Sequence, residues 1–273
     1  MRIFAALLFC STALAQAPVP EVASPDAKAI VVKSLAVDNR NQELLNQYTY
    51  KMLQVEHQSG KPDKTKLFEF FSVVGEQFRL LTEVDGKPLT TAEVAKEHAK
   101  LDAAIEKAKG LSPEERQKHA AQHARNRAKN RDQRQYIPEA FQFQLLGEEE
   151  INGRKSWKIE ARPTGTYKGP HADLLRNMAG ILWIDQQDYE WTKVEAESLG
   201  TISFGLFLAR LSKGARISFE NQRVNGELWA PRRVAVKASL RLVLLAKTGE
   251  DLEITFKDYK KFQTDARIVS TEQ

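Results

Sequence analysis

The hydrophobic period changes twice along the chain. From Tyr48 apolar and polar positions alternate in short runs: Tyr48, Tyr50, Met52, Leu53 and Val55, then Leu67 to Val74, then Phe78 to Val84. Ser59-Gly60-Lys61-Pro62-Asp63, Gly75 and Asp85-Gly86 close these runs. Period-two runs bounded by Gly, Pro and Asp predict an antiparallel meander. At Thr90 the period lengthens. Val94, Leu101 and Ala108 recur every seven residues, with His98 and Ile105 between them, which is a narrow seam on a helix. Thr90-Thr91-Ala92-Glu93 and Ser112-Pro113-Glu114-Glu115 each fit a capping box, and Gly110 closes the first helix. Residues 89–136 thus predict a polar helical hairpin inserted between strands.

After Pro138 the alternation returns. Phe141 to Glu149 and Arg154 to Arg162 flank Asn152-Gly153, and Ala215 to Val224 and Glu227 to Leu240 flank Asn225-Gly226. Both dipeptides are strong hairpin signals. Ile181 to Asp185 and Tyr189 to Ser198 make a further pair, and Asp251 to Phe262 a last strand. His171 to Ala179 predicts a short helix closed by Gly180. Ahead of the strands, Ser24 caps a helix with Pro25 and Asp26 in its first turn, and a second short helix covers 41–46. In the first helix Ala27, Ile30, Val31 and Leu35 face a core. The sum is an α+β chain: about ten strands in one large antiparallel sheet that must curl, with helices over one face.

The first residues stand apart. Arg2, the apolar run Ile3 to Ala15 and the small residues Ala13 and Ala15 form a secretory signal peptide, 1–15, cleaved before Gln16. The run is too short to span a bilayer. Cys10 raises lipoprotein processing as a rival, but Phe9 is bulky where that processing needs a small residue. Residues 16–23, with Pro18 and Pro20, form a flexible leader, and 24–273 a single β domain carrying the 89–136 insertion. Cys10 is the chain's single cysteine, so cleavage removes thiol and disulfide chemistry together. Export through the envelope to a periplasm follows from these features.

Charge and motifs narrow the chemistry. Lys and Arg number 41 against 36 Asp and Glu, a net +5. Phosphate-binding loops, a dinucleotide fingerprint and a nucleophile elbow around Ser203 are absent, and no carboxylate spacing marks an acid–base pair. No enzyme and no cofactor is expected. His119 and His123 share a helix face but lack the glutamate of the zinc-protease pattern, so no metal is expected either. Basic residues gather in 116–134. Arg125, Arg127 and Arg131 there, and Arg210, Lys213 and Arg216 later, are the candidates for contact with an anionic surface. Export argues against nucleic acid as the partner.

Leu199 to Leu211 holds one charge in thirteen residues, with Gly200 and Gly205 for backbone freedom. It is either buried sheet connection or an apolar lid. Aromatics at Tyr48, Tyr50, Phe68, Phe70, Phe71, Phe78, Trp157, Trp183, Trp191, Phe219, Trp229 and Phe256 are spread through the strands. Alternation puts several on one face, where a curved sheet offers more apolar surface than a few helices can fill.

Gly180-Ile181-Leu182-Trp183-Ile184-Asp185, followed by Asp188 to Glu197, resembles a strand pair of the LolA/LolB-like superfamily. Asn225-Gly226-Glu227-Leu228-Trp229-Ala230-Pro231-Arg232 looks like its later hairpin, and Ile254 to Phe262 like its closing strand. The chain looks, more narrowly, like exported bacterial proteins described as outer membrane lipoprotein-sorting proteins, over about 140–265. The resemblance implies a curved half-open antiparallel β-barrel with covering helices, whose hollow holds acyl chains in the known carriers; other relatives are periplasmic sensors of envelope stress. The hairpin 89–136 is not part of the known carriers. The expected function is non-enzymatic binding of lipid or an acylated protein. Trp183, Trp191, Phe204, Leu206, Phe207 and Leu208 are the expected ligand contacts, and peripheral membrane contact is compatible with that role. The alternative is an envelope protein-interaction or stress-sensing module with a packed sheet, docking a protein partner through 89–136.

Overall fold

The structure is a computed structural model that describes residues 25–37, 40–57, 60–73, 76–204, 209–237, 240–242 and 251–261. The signal peptide and leader expected at 1–23, Cys10 included, lie outside the described residues.

Helix α1 (Ala27–Ala36) opens the fold. Its cap is Asp26 instead of Ser24: the Asp26 carboxylate accepts the Lys28 N–H at 3.0 Å, so Pro25 falls just outside the helix. Ala27, Ile30 and Val31 are buried as expected. Helix α2 (Arg40–Leu45) follows, then strands β1 (Tyr48–His57), β2 (Lys64–Val73), β3 (Glu76–Val84) and β4 (Lys87–Pro88). The 89–136 segment forms helices α3 (Thr91–Gly110) and α4 (Pro113–Gln135), and both capping boxes close as spelled. Helix α3 packs against β3. A one-turn helix α5 (Ile137–Ala140) leads into the long hairpin of β5 (Phe141–Ile151) and β6 (Arg154–Pro163).

Helix α6 (Ala172–Leu175), β7 (Met178–Asp185) and β8 (Trp191–Ser198) come next, then short strands β9 (Ile202–Phe204) and β10 (Ala209–Leu211). The chain continues through β11 (Arg216–Val224), β12 (Leu228–Lys237), β13 (Leu240–Leu242) and β14 (Asp251–Lys261). Gly180 does not close a helix but lies inside β7. A Cβ there would stand 2.3 Å from the Glu195 carbonyl oxygen, so the close approach of β7 and β8 requires glycine.

Eleven strands form one open sheet in the order β4-β3-β2-β1-β14-β12-β11-β8-β7-β6-β5, and β13-β10-β9 form a small second sheet. Every ladder is antiparallel. The ten long strands are those the alternation predicts; the four additions are two or three residues each. The edge strands β4 and β5 do not meet, so the barrel stays half-open, with helices on the sheet, as expected. Asn152-Gly153 and Asn225-Gly226 turn their hairpins with positive φ at both residues. Five ladders carry a register shift, at Thr49/Lys51, Leu67/Phe68, Leu145/Gly147, Trp183/Ile184 and Glu220/Asn221. Each such bulge bends its strand and adds twist, which curls a sheet this wide.

Candidate functional site

The register sorts the sheet into two faces of opposite chemistry. On one, Ile159, Leu182, Val194, Phe219, Val234 and Ile254 are successive cross-strand partners over six strands, β6 to β14. A parallel row runs Ala161, Gly180, Ala196, Ile217, Val236 and Leu252. Cross-strand partners point to the same side, so this face is continuously apolar. Helix α1 lies on its β5–β8 part, where Ile30 and Val31 pack with Ile159, Leu182, Ile184 and Val194. Trp191 fastens the helix by donating its indole N–H to Ser34 Oγ at 2.8 Å.

Two other elements frame the same face. At one strand end, Leu44 and Leu45 of α2 pack on Tyr48, Leu228 and Ala230. Asn41 of α2 accepts the Trp229 backbone N–H at 3.1 Å and donates to Glu190 Oε1 at 2.7 Å. Burial raises the Glu190 carboxyl above its usual range, and the Asn41 bond opposes the rise. At the other end, Ile202 and Leu211 of the small sheet pack with Ile217 and Val236.

Between these covers lies a stretch of the apolar face formed by β11, β12, β14, β1 and β2. Phe219, Val234, Ile254, Phe256 and Phe68 there are only half-buried, around a buried Met52. Tyr50 and Phe70 stack at 4.8 Å and close its wall, with Phe256 6.1 Å and Tyr259 5.2 Å from Tyr50. Burial pushes the Tyr50 hydroxyl up to about 12 and also raises that of Tyr259, so both stay protonated at ordinary pH; Arg79, opposite Phe70, is the charged side chain beside them. The arrangement is a partly covered apolar surface, with the Arg79 guanidinium over the ring of Phe68 at 5.1 Å from its centroid. Its chemistry is burial of hydrocarbon, at about 0.8 kcal/mol per CH₂.

The opposite face is polar. Lys158, Trp183, Lys193, Glu220, Arg233 and Thr255 succeed one another across it. Ion pairs lie along and beside the row, including Lys158–Glu149 at 3.0 Å, Lys193–Glu195 at 2.6 Å and Arg233–Glu253 at 2.8 Å. An open groove of about 890 Å³ runs over it, lined by Glu160, Glu195, Arg216 and Arg233 among others. Charges of both signs in neighbouring positions mark it as a solvated sheet face, with Ile181, Leu199 and Ala235 among the groove's apolar lining.

The expected ligand contacts divide between these faces. Trp191 stands on the apolar face, under α1. Trp183 stands on the charged face, where its indole donates to Glu149 Oε2 at 3.0 Å and Lys193 Nζ lies 4.5 Å from its ring centroid. The two tryptophans are not brought together. Phe204 ends β9, pairing Ala209 across the small sheet, while Leu206, Phe207 and Leu208 lie outside the described residues. Of the expected basic contacts, Arg125, Arg127 and Arg131 lie on α4, with Arg125 exposed. Arg210 lies in β10, Lys213 is exposed before β11, and Arg216 lines the groove and pairs with Glu197 at 3.3 Å. Phe219, Ile254, Val234 and Phe256 on the apolar face are not among the expected contacts; following alternation strand by strand finds them.

Among the described residues no group of three His, Cys, Asp or Glu is placed to hold a metal ion, and no helix is long and apolar enough to cross a membrane. A polar knot at the β7–β8 turn joins Arg154 to Asp185 at 2.6 and 2.8 Å, while Asp188 takes Arg154, Arg223 and the Trp229 indole. Every one of these charges is paired, and the knot belongs to the architecture.

No family model matches the chain, and no curated protein matches it. Among solved structures it is similar to a domain described as an outer membrane lipoprotein-sorting protein from Vibrio parahaemolyticus, with 14% identity and a TM-score of 0.35 over 89% of this chain and 94% of the other. It is similar to a LolA superfamily protein from Nitrosomonas europaea, with 12% identity and a TM-score of 0.31 over 88% and 95%. The MucA/MucB complex of Pseudomonas aeruginosa gives 11% identity and a TM-score of 0.22 over 82% and 93%.

Proposed function

We propose that this chain is an exported, non-enzymatic periplasmic protein that binds a lipid or the acyl chain of a lipidated protein on the apolar face of its sheet. The observation that carries the reading is the unequal cover of that face. Helix α1 seals its β5–β8 part, with Phe219 packed at the border, while Val234, Ile254, Phe256 and Phe68 remain partly exposed beyond it. A hydrocarbon chain laid there would remove this surface from water while leaving Arg79, whose guanidinium stands 5.1 Å from the Phe68 ring centroid, at its rim. Phe204, Leu206, Phe207 and Leu208 remain proposed contacts on the apolar character of their sequence. Trp191 serves by fixing α1; Trp183 has no part in the hollow.

Delipidated full-length protein should take up a fluorescent fatty acyl probe. Phe256→Ser and Phe207→Asp should each weaken uptake at least about tenfold, since each removes apolar contact worth upwards of 1.4 kcal/mol. Trp183→Phe should leave it unchanged. Uptake untouched by the first two substitutions would reject the assignment.

A further inference from the structure

Among the described helices α4 stands out by its charge. Its neighbour α3 balances its charges, with Lys100–Glu97 and Lys109–Glu106 ion pairs along its surface. Helix α4 carries seven Lys and Arg against three acids, and its 23 residues make a rod of about 34 Å. Arg116, Lys118, His119 and Arg125 are exposed on it.

The charges fall in two rows. Helical spacing places positions 116, 119, 123, 127, 131 and 134 on one side, which are Arg, His, His, Arg, Arg and Arg. The opposite side takes 114, 118, 125, 129 and 132, where Glu114 and Asp132 interrupt Lys118, Arg125 and Lys129. Glu115 flanks the first row near His119, and its carboxylate is held by the Ser112 cap. Arg134, at the body end, lies within electrostatic reach of Glu190. One side of the rod is therefore basic without an acid in its row, and the other is mixed.

We propose that the Arg116–Arg127–Arg131 side of α4 docks the protein on a bilayer surface carrying anionic headgroups. The match is one of charge and shape. A plane of negative charge touches one side of a straight helix and leaves the acids of the other side in water. A polyanion that surrounds the helix, such as a duplex gripping it in a groove, meets Glu114 and Asp132 as well. The helix offers only alanines at 120, 124 and 128 as an apolar stripe, so it lies on the headgroups without inserting, and binding weakens with salt. This docking does not depend on acyl binding in the hollow.

The test is co-sedimentation of the full chain with vesicles of phosphatidylcholine and phosphatidylglycerol, against phosphatidylcholine alone and against duplex DNA. Binding should require phosphatidylglycerol and fall as salt rises. The triple change Arg116→Gln, Arg127→Gln and Arg131→Gln should lower the partition coefficient about 100-fold, each basic side chain near an anionic surface being worth about fivefold. The triple change Lys118→Gln, Arg125→Gln and Lys129→Gln should lower it less than about fivefold. Glutamine keeps helix propensity, and circular dichroism confirms that both variants are folded. Equal losses in the two variants, no binding by the unchanged protein, or tighter binding to DNA than to the anionic vesicles would each overturn the proposal.

Discussion

The indole N–H of Trp191 donates to the hydroxyl of Ser34 at 2.8 Å, and the same hydroxyl donates onward to the Val31 carbonyl at 2.7 Å. A strand of the sheet is thereby tied to α1, the helix that seals the β5–β8 part of its apolar face. Trp191→Phe keeps most of the ring and removes the donor; Ser34→Ala removes the acceptor. Each should cost about 1–2 kcal/mol, and the double variant should cost little more than either single one, because both break one bond. Urea denaturation of the three variants measures the coupling.

Two ion pairs of similar geometry should behave differently. Asp185 is 1% exposed and binds Arg154 through both oxygens, so Asp185→Asn leaves the guanidinium only its longer pair with Asp188 and should cost about 2–3 kcal/mol. Arg233 and Glu253 make the same fork on the solvated face, and Glu253→Gln should cost under about 1 kcal/mol. Denaturant midpoints decide it.

The Glu190 carboxyl is raised by burial, so the folded chain holds its proton to higher pH than the unfolded chain does. Stability from this group is present at low pH and falls as pH rises through the raised value. Glu190→Gln, which can keep the Asn41 bond, should raise the melting temperature at neutral pH, and the gain should shrink as pH approaches the carboxylate range. Scanning calorimetry across pH reads both effects.

Gly180→Ala places a methyl group 2.3 Å from the Glu195 carbonyl oxygen. The β7–β8 ladder must open to accept it, at about 1–3 kcal/mol. Thermal melts of the variant measure the loss.

The sequence announced what local chemistry controls. Asn152-Gly153, Asn225-Gly226 and the two capping boxes form as spelled, because each depends on a few adjacent residues. The placement of the tryptophans depends on a bulge. Without one, Trp183 and Trp191 would lie on the same face, since Trp183 pairs Lys193 and Trp191 lies two residues from Lys193. Register instead shifts from Trp183–Lys193 to Ile184–Trp191, leaving Thr192 as the extra residue. Thr192 is buried, donating to the Trp183 carbonyl at 3.0 Å and meeting Ser156 Oγ at 3.1 Å. That single residue turns Trp191 toward α1 and leaves Trp183 among lysines. No local pattern marks it, because Ser156 is 36 residues away in the chain. The same limit hid Gly180 as a strand residue, which the close approach of Glu195 selects, whereas Asp26 caps α1 through a local bond to Lys28 that Ser24 was equally suited by type to make.

The most direct test of the apolar-face account is photo-crosslinking with a diazirine-bearing fatty acid, mapped to single residues by mass spectrometry. The account predicts adducts on Phe219, Val234, Ile254, Phe256 and Phe68, lost when unlabelled fatty acid competes. Adducts confined to Trp183, Lys193, Arg233 and the other residues of the charged face would contradict it.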